Sequence, residues 1–188
     1  MPSMMNTQVR HARAASLLAK MDQAELDLCR QFNALAHRAG ARQVFQVAEK
    51  LGDGVAWYSL IALLPFCGRH GALVALQMAV SGLAGLLLYR YLKRRFVRER
   101  PFITHTAITR AGDPLDRFSF PSGHTLHAVC FTILAVSAFP VLGWILVPLA
   151  TAIALSRVVL GLHYPSDVLV GAMIGAGMAL ATMAFLPA

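Results

Sequence analysis

The chain has 188 residues, room for one domain and hardly two; 57% of them are hydrophobic and only 14% charged. Soluble domains run at about 45–50% apolar and about 25% charged, so this is the composition of a membrane protein. A formal net charge of +8 could point to nucleic acid, but the basic residues flank long apolar runs and the aromatics lie mostly inside them. The cations are better matched to lipid headgroups, an anionic substrate and the rule that orients membrane helices.

Residues 1–13 read as peripheral, and Arg10, His11 and Arg13 are not followed by an apolar core adequate for a cleavable signal. From Ala15 to about His37, Leu17, Met21, Leu28, Phe32 and Leu35 recur at helical spacing, which predicts an amphipathic helix too charged to cross a bilayer. Gly40 ends it. A second short amphipathic pattern, with Val44, Phe45, Val47, Ala48 and Leu51, runs to the break at Gly52-Asp53-Gly54. Residues 1–53 are therefore expected to form an amphipathic, interfacial helical segment that lies along the membrane surface or packs on the core, as scaffolding or a dimer contact, and residues 54–188 a transmembrane core.

Val55 to about Cys67 is apolar but short for a span, since a bilayer core needs about 20 helical residues. Gly68-Arg69-His70-Gly71 makes a reversal, and Ala72 to Tyr91 is a full span with Gly82 and Gly85 permitting close helix contact. Lys93 to Pro101 is abruptly basic, and Pro101 ends the helix. A polar loop, residues 102–120, carries His105, Asp113, Asp116 and Arg117, and loops that join site-forming helices are natural places for substrate selection. His124 to Phe139 and Val141 to about Leu155 are spans with almost no loop between them. His163-Tyr164-Pro165-Ser166-Asp167 opens the last span, which runs from Val168 to about Leu186 with Gly171 and Gly175 at the spacing of tight helix pairs. The expected fold is all-α: a polytopic membrane bundle of about five transmembrane helices with amphipathic helices at its N-terminus. Cys29, Cys67 and Cys130 have no metal or redox spacing and read as packing residues.

Five spans place three polar stretches on one side of the membrane. They read Lys93-x6-Arg100-Pro101, then Pro121-Ser122-Gly123-His124, then Ser156-Arg157-x5-His163-x3-Asp167. Singly, each has an ordinary explanation. Ser122 is a good N-cap, Asp167 suits the positive end of a helix, and Arg157 could snorkel to the interface. Their joint order and spacing make that combination improbable. A helix start such as Gly123-His124 also cradles anions through its free N–H groups. The cations Lys93, Arg100 and Arg157 suit the charge of a phosphoryl group, the arginines through their planar forks.

The three-part pattern resembles the signature of the type 2 phosphatidic acid phosphatase family, membrane lipid phosphatases that share their site plan with vanadium-dependent haloperoxidases. The resemblance covers the C-terminal half motif by motif, and departs at the N-terminus, where an amphipathic segment stands in place of a first span. It implies that His163 attacks phosphorus to form a phosphohistidine and that Asp167 orients it. It further implies that His124 protonates the leaving oxygen and later activates water, while Lys93, Arg100, Ser122, Gly123 and Arg157 hold the phosphate. The scheme requires no metal and no cofactor. A His124-x2-His127 metal pair lacks further ligands at suitable spacing, and His127 is expected to pack or hydrogen-bond one turn behind the site. The implied partners are a membrane lipid substrate and the bilayer, not nucleic acid: phosphatidic acid, phosphatidylglycerophosphate or an isoprenyl diphosphate. Vanadate-dependent peroxidation and non-catalytic binding of a lipid phosphate are the competing readings.

Of the 17 Lys and Arg residues, all but Arg69 fall on the side that carries the N-terminus and the site. By the positive-inside rule that side is cytoplasmic, in a protein expected in a bacterial inner membrane, although many bacterial relatives in the resembled family face the periplasm.

Overall fold

A computed structural model describes residues 20–114 and 116–187; the expectation for residues 1–13 lies outside them. Helix α1 covers residues 20–33 and a 3-10 turn follows at Ala34–His37. The remaining helices are α2 (Ala39–Lys50), α3 (Ala56–Leu63), α4 (Gly68–Arg95), the single turn α5 (Pro101–Thr104), α6 (Gly123–Ala138), α7 (Gly143–Val159) and α8 (Pro165–Phe185). The only pairing of extended backbone among the described residues is an isolated bridge between Glu99 and Phe118.

The hub is α6. It packs against α4, α7 and α8, and its Leu126, Ala128, Cys130, Leu134 and Ala135 are essentially sealed from the surroundings. The closest approach is to α8, and glycine makes it possible. A Cβ on Gly171 would lie 2.5 Å from the Ser122 carbonyl oxygen, and one on Gly175 would collide with the Leu126 carbonyl. On the far flank of α6, Trp57 from α3 meets Phe131 edge to face, with ring centroids 5.6 Å apart, and Met78, Leu134 and Ile153 complete this core. Outward-facing Leu83, Leu87, Trp144, Ile145, Leu169 and Leu180 are exposed, as lipid-facing positions are.

Three stretches, Ala39–Arg95, Pro140–Val159 and Pro165–Phe185, are long and apolar enough to cross a membrane, while α6 is a shorter apolar helix. The first stretch is bent twice. Gly54, with φ +130°, makes an elbow between α2 and α3, and at Gly68 the chain reverses so that α4 returns along α3. At about 1.5 Å per residue, α3 and the 3-10 turn Leu64–Cys67 together reach less than ~20 Å, short of a ~30 Å hydrocarbon core. The start of α3, the ends of α4 and α7, and the starts of α6 and α8 all meet at one end of the bundle.

The N-terminal helices pack differently from the expected stripes. Met21 and Leu28 point outward, and the face of α1 that packs carries Leu26, Cys29, Phe32 and the buried Asn33. The reason is that α1 rests on a polar loop and not only on apolar helices. Asn33 Nδ2 donates to the Thr109 carbonyl at 2.9 Å and to the Val159 carbonyl at 2.9 Å, while its Oδ1 accepts from Thr109 N at 2.8 Å. In α2, Val44 and Val47 are exposed, whereas Ala48 and Glu49 are buried against α7.

Candidate active site

Each cation of the site is placed by a helix end. Lys93 lies in the last turn of α4, and its Nζ donates to both oxygens of Asp116, at 2.9 and 2.7 Å, and to the Phe118 carbonyl at 3.1 Å. Arg100 precedes Pro101 in extended backbone (φ −76°, ψ 152°), because proline at a helix start excludes the helical conformation from the residue before it. Its side chain is almost wholly buried. Nε donates to the Asp116 carbonyl at 2.8 Å, Nη2 to Asp116 Oδ1 at 3.0 Å, and Nη1 to the Leu162 carbonyl at 2.9 Å, with His163 Nε2 only 3.2 Å from Nη1. Arg157, in the last turn of α7, is equally buried and donates from Nη1 to Glu49 Oε1 at 2.9 Å, while its Nε has no partner among the described residues.

Ser122 is the N-cap of α6. Its hydroxyl lies 2.9 Å from Thr125 Oγ1 and 3.4 Å from Thr125 N, so the capping function is occupied by this helix itself. Its backbone N–H donates to the Asp167 carbonyl at 3.1 Å and ties the start of α6 to the start of α8. His124 Nε2 is in hydrogen-bond contact with Asp53 Oδ1 from the Gly54 elbow. His127 sits one turn behind, bonded to the Gly123 and Gly82 carbonyls at 2.9 and 3.1 Å.

His163 and Asp167 are neighbours without being bonded: Nδ1 to Oδ2 is 3.7 Å, and Nδ1 has no hydrogen-bond partner among the described residues. Asp167 is engaged elsewhere, accepting from Tyr164 N at 2.9 Å on Oδ2 and from Arg98 Nη1 at 2.7 Å on Oδ1. Arg98 in turn lies 3.9 Å from the Tyr164 ring centroid and pairs with Glu25 of α1 at 2.6 Å. Burial foremost, then the charges of Arg100, Arg157, Lys93 and His124, hold the His163 pKa well below the usual imidazole range, so the ring is neutral. Burial pushes the Asp116 carboxyl up, but Lys93 and Arg100 outweigh it and leave its pKa below the ordinary value.

Lys93, Arg100, Gly123, His124 and His163 thus share one small cavity of about 30 Å³, closed by Tyr89 and Asp116. Ser122 and Arg157 are not among the residues that line it. The cavity has room for a water or two and is smaller than a phosphoryl group. Each cation faces a carboxylate: Asp116 opposes Lys93 and Arg100, and Glu49 opposes Arg157. These pairings offset the cost of burying charge. Sequence reasoning left out Glu49, Asp53, Arg98 and Glu25, and took Asp116 only as part of a loop. The signals present were two carboxylates four residues apart at a Gly-Asp-Gly break, and Arg98 among the three further cations inside Lys93-x6-Arg100. Among the described residues no group of three or more His, Cys, Asp or Glu is arranged to hold a metal ion.

His124 and Tyr89 also line a second, larger cavity of about 450 Å³ between α3, α4 and α6, whose other walls include Trp57, Tyr58, Ile61, Met78, Leu83 and Phe131. A charged pocket and an apolar groove therefore share a wall.

Comparison with known proteins places this arrangement. A lipid A 1-phosphatase of Rhizobium etli is 32% identical over 77% of this chain and 71% of its own length. The undecaprenyl-diphosphatase BcrC of Bacillus subtilis is 33% identical over 58% of this chain and 56% of its own, so the chain spans about half the length of such curated relatives. Among solved structures, Aquifex aeolicus LpxE superposes with a TM-score of 0.74 at 27% identity, covering 85% of this chain and 94% of that one. A transmembrane PAP2 type phosphatidylglycerolphosphate phosphatase from Bacillus subtilis gives 0.70 at 25% identity, covering 88% and 86%. The family model for the PAP2 superfamily matches residues 71–188, from the start of α4 through all three polar motifs, and the chain belongs to that superfamily.

Proposed function

We propose that the protein is an integral-membrane phosphatase that removes phosphate from a phosphomonoester or diphosphate of a membrane lipid, by way of a phosphohistidine on His163. The observation that carries this reading is the shared wall: a pocket lined by Lys93, Arg100 and His163 adjoins, through His124 and Tyr89, an apolar groove of lipid-chain dimensions. A substrate with a phosphate head and a hydrocarbon tail fits both parts together. The names of the relatives, which include phosphatases of undecaprenyl diphosphate, lipid A and phosphatidylglycerolphosphate, support the same class.

In this mechanism Lys93, Arg100 and Arg157 take the equatorial oxygens as negative charge spreads over them, with the backbone N–H groups of Gly123 and His124 as further donors. The carboxylates that now face these cations yield to the phosphoryl group. Neutral His163 attacks through Nε2, the nitrogen beside Arg100, and its Nδ1–H turns to Asp167 as the ring gains charge; catalytic hydrogen bonds commonly shorten only in the reacting complex. His124 gives a proton to the leaving oxygen and then takes one from the water that cleaves the P–N bond. The excess of Lys and Arg on the site's side favours its placement at the cytoplasmic face of a bacterial inner membrane.

The test is phosphate release from phosphatidic acid, phosphatidylglycerophosphate and an isoprenyl diphosphate by the purified protein, against His163→Ala. Release from at least one lipid is expected, with the variant reduced to background. Equal release by both proteins refutes the mechanism.

A further inference from the structure

The Gly52-Asp53-Gly54 break makes the kink between α2 and α3, with non-helical backbone at Gly54. Its geometry is demanding. Gly54 holds φ +130°, and a Cβ on Gly52 would press on Ile153 Cγ2 at 2.9 Å and approach His124 Cδ2 at 3.4 Å. The glycines let the elbow between α2 and α3 lie directly on the first turn of α6, where Asp53 Oδ1 meets His124 Nε2.

Two cations stand near this imidazole, Arg157 from α7 and Lys93 from α4. Arg157 is already paired with Glu49 and Lys93 with Asp116, so the carboxylate bonded to His124 itself is that of Asp53. A general acid must carry its proton when the leaving group departs, and an imidazolium beside two cations needs a counter-charge.

We propose that Asp53 is the positioning residue of the acid–base histidine: it accepts from Nε2–H, turns Nδ1 toward the phosphoryl pocket, and supplies the counter-charge of the imidazolium. The role rests on the phosphatase reading above. In the first half-reaction His163 Nε2 bonds to phosphorus as the bond to the lipid oxygen breaks. The Nδ1 proton of His124 passes to that oxygen, leaving the electron pair on Nδ1. In the second half, Nδ1 takes a proton from water while the water oxygen bonds to phosphorus and the P–N electrons return to His163. Asp53 stays a carboxylate throughout.

The experiment compares the full chain with Asp53→Asn and Asp53→Glu on two substrates. Phosphatidic acid releases an alcohol and needs the proton; p-nitrophenyl phosphate releases a stable phenolate and does not. Asp53→Asn is expected to lose at least about 10-fold more kcat on phosphatidic acid than on p-nitrophenyl phosphate, with the basic limb of its pH–rate profile moved to lower pH. Asp53→Glu keeps the charge and shows the same preference at smaller size, so it carries the test if Asp53→Asn does not fold. Equal loss on both substrates with an unmoved basic limb, or no loss on either, overturns the role. Failure of the unaltered chain on p-nitrophenyl phosphate and on all three lipids named above instead overturns the phosphatase reading, and the role with it.

Discussion

Two histidine–aspartate pairs flank the pocket, and they are built in opposite ways. His163 and Asp167 are four residues apart across the start of α8, so their proximity follows from local spacing, yet ring and carboxylate stand 3.7 Å apart. His124 and Asp53 are separated by 71 residues and are in contact. In the first pair the carboxylate is already held by Arg98 and Tyr164 N; in the second the carboxylate is brought by an elbow and has no other bonded partner among the described residues. Nearness in sequence places groups, whereas engagement depends on what else competes for them.

Asp167→Asn should break the local pair with the largest effect. Losing the charge that the His163 imidazolium would face is expected to lower kcat on the order of 1,000-fold, read as slow formation of the phosphoenzyme in single-turnover experiments. A loss below about tenfold would make Asp167 a helix-capping residue only. Gly54→Ala attacks the distant pair without touching either member. The left-handed conformation and a Cβ 2.5 Å from the Tyr58 ring should cost about 1–3 kcal/mol, seen as a lower thermal midpoint in detergent, and phosphatidic acid hydrolysis should fall further than that of p-nitrophenyl phosphate. The smallest effect is one of pH. Because burial and the surrounding cations depress the His163 pKa, the nucleophile stays neutral on acidification, and the acid limb of kcat/KM should lie below the ~6.5 of a free imidazole. A limb at 6.5 would mean that the ring is solvated like a surface histidine.

What was legible in the sequence was whatever is fixed by spacing along a helix or across one tight turn. Lys93, Arg100, Gly123, His124 and His163 were read from three motifs, and the fold brings them around one cavity. Ser122 shows a limit of that reading, since its hydroxyl is occupied as a cap and the residue does not line the cavity. Glu49, Asp53 and Asp116 were not legible as site groups, because their positions depend on the path of α2 over α7 and on a loop fold that no periodicity encodes. The stripe on α1 was misread for a related reason. Periodicity marks apolar faces, and this helix packs partly by hydrogen bonds from Asn33 and by the ion pair of Glu25.

The contact between α6 and α8 separates what can vary in this molecule from what cannot. Their backbones touch at Gly171 and Gly175, and Ser122 N bonds the Asp167 carbonyl, so main chain meets main chain between the helix of His124 and the turn region of His163 and Asp167. The spacing of the two reacting groups is therefore set by main chain. In the proposed phosphatase, substitutions on the walls of the groove along α3 and α4 would reshape tail selection while leaving that spacing alone. The architecture gives such a protein freedom to change its lipid while keeping its chemistry.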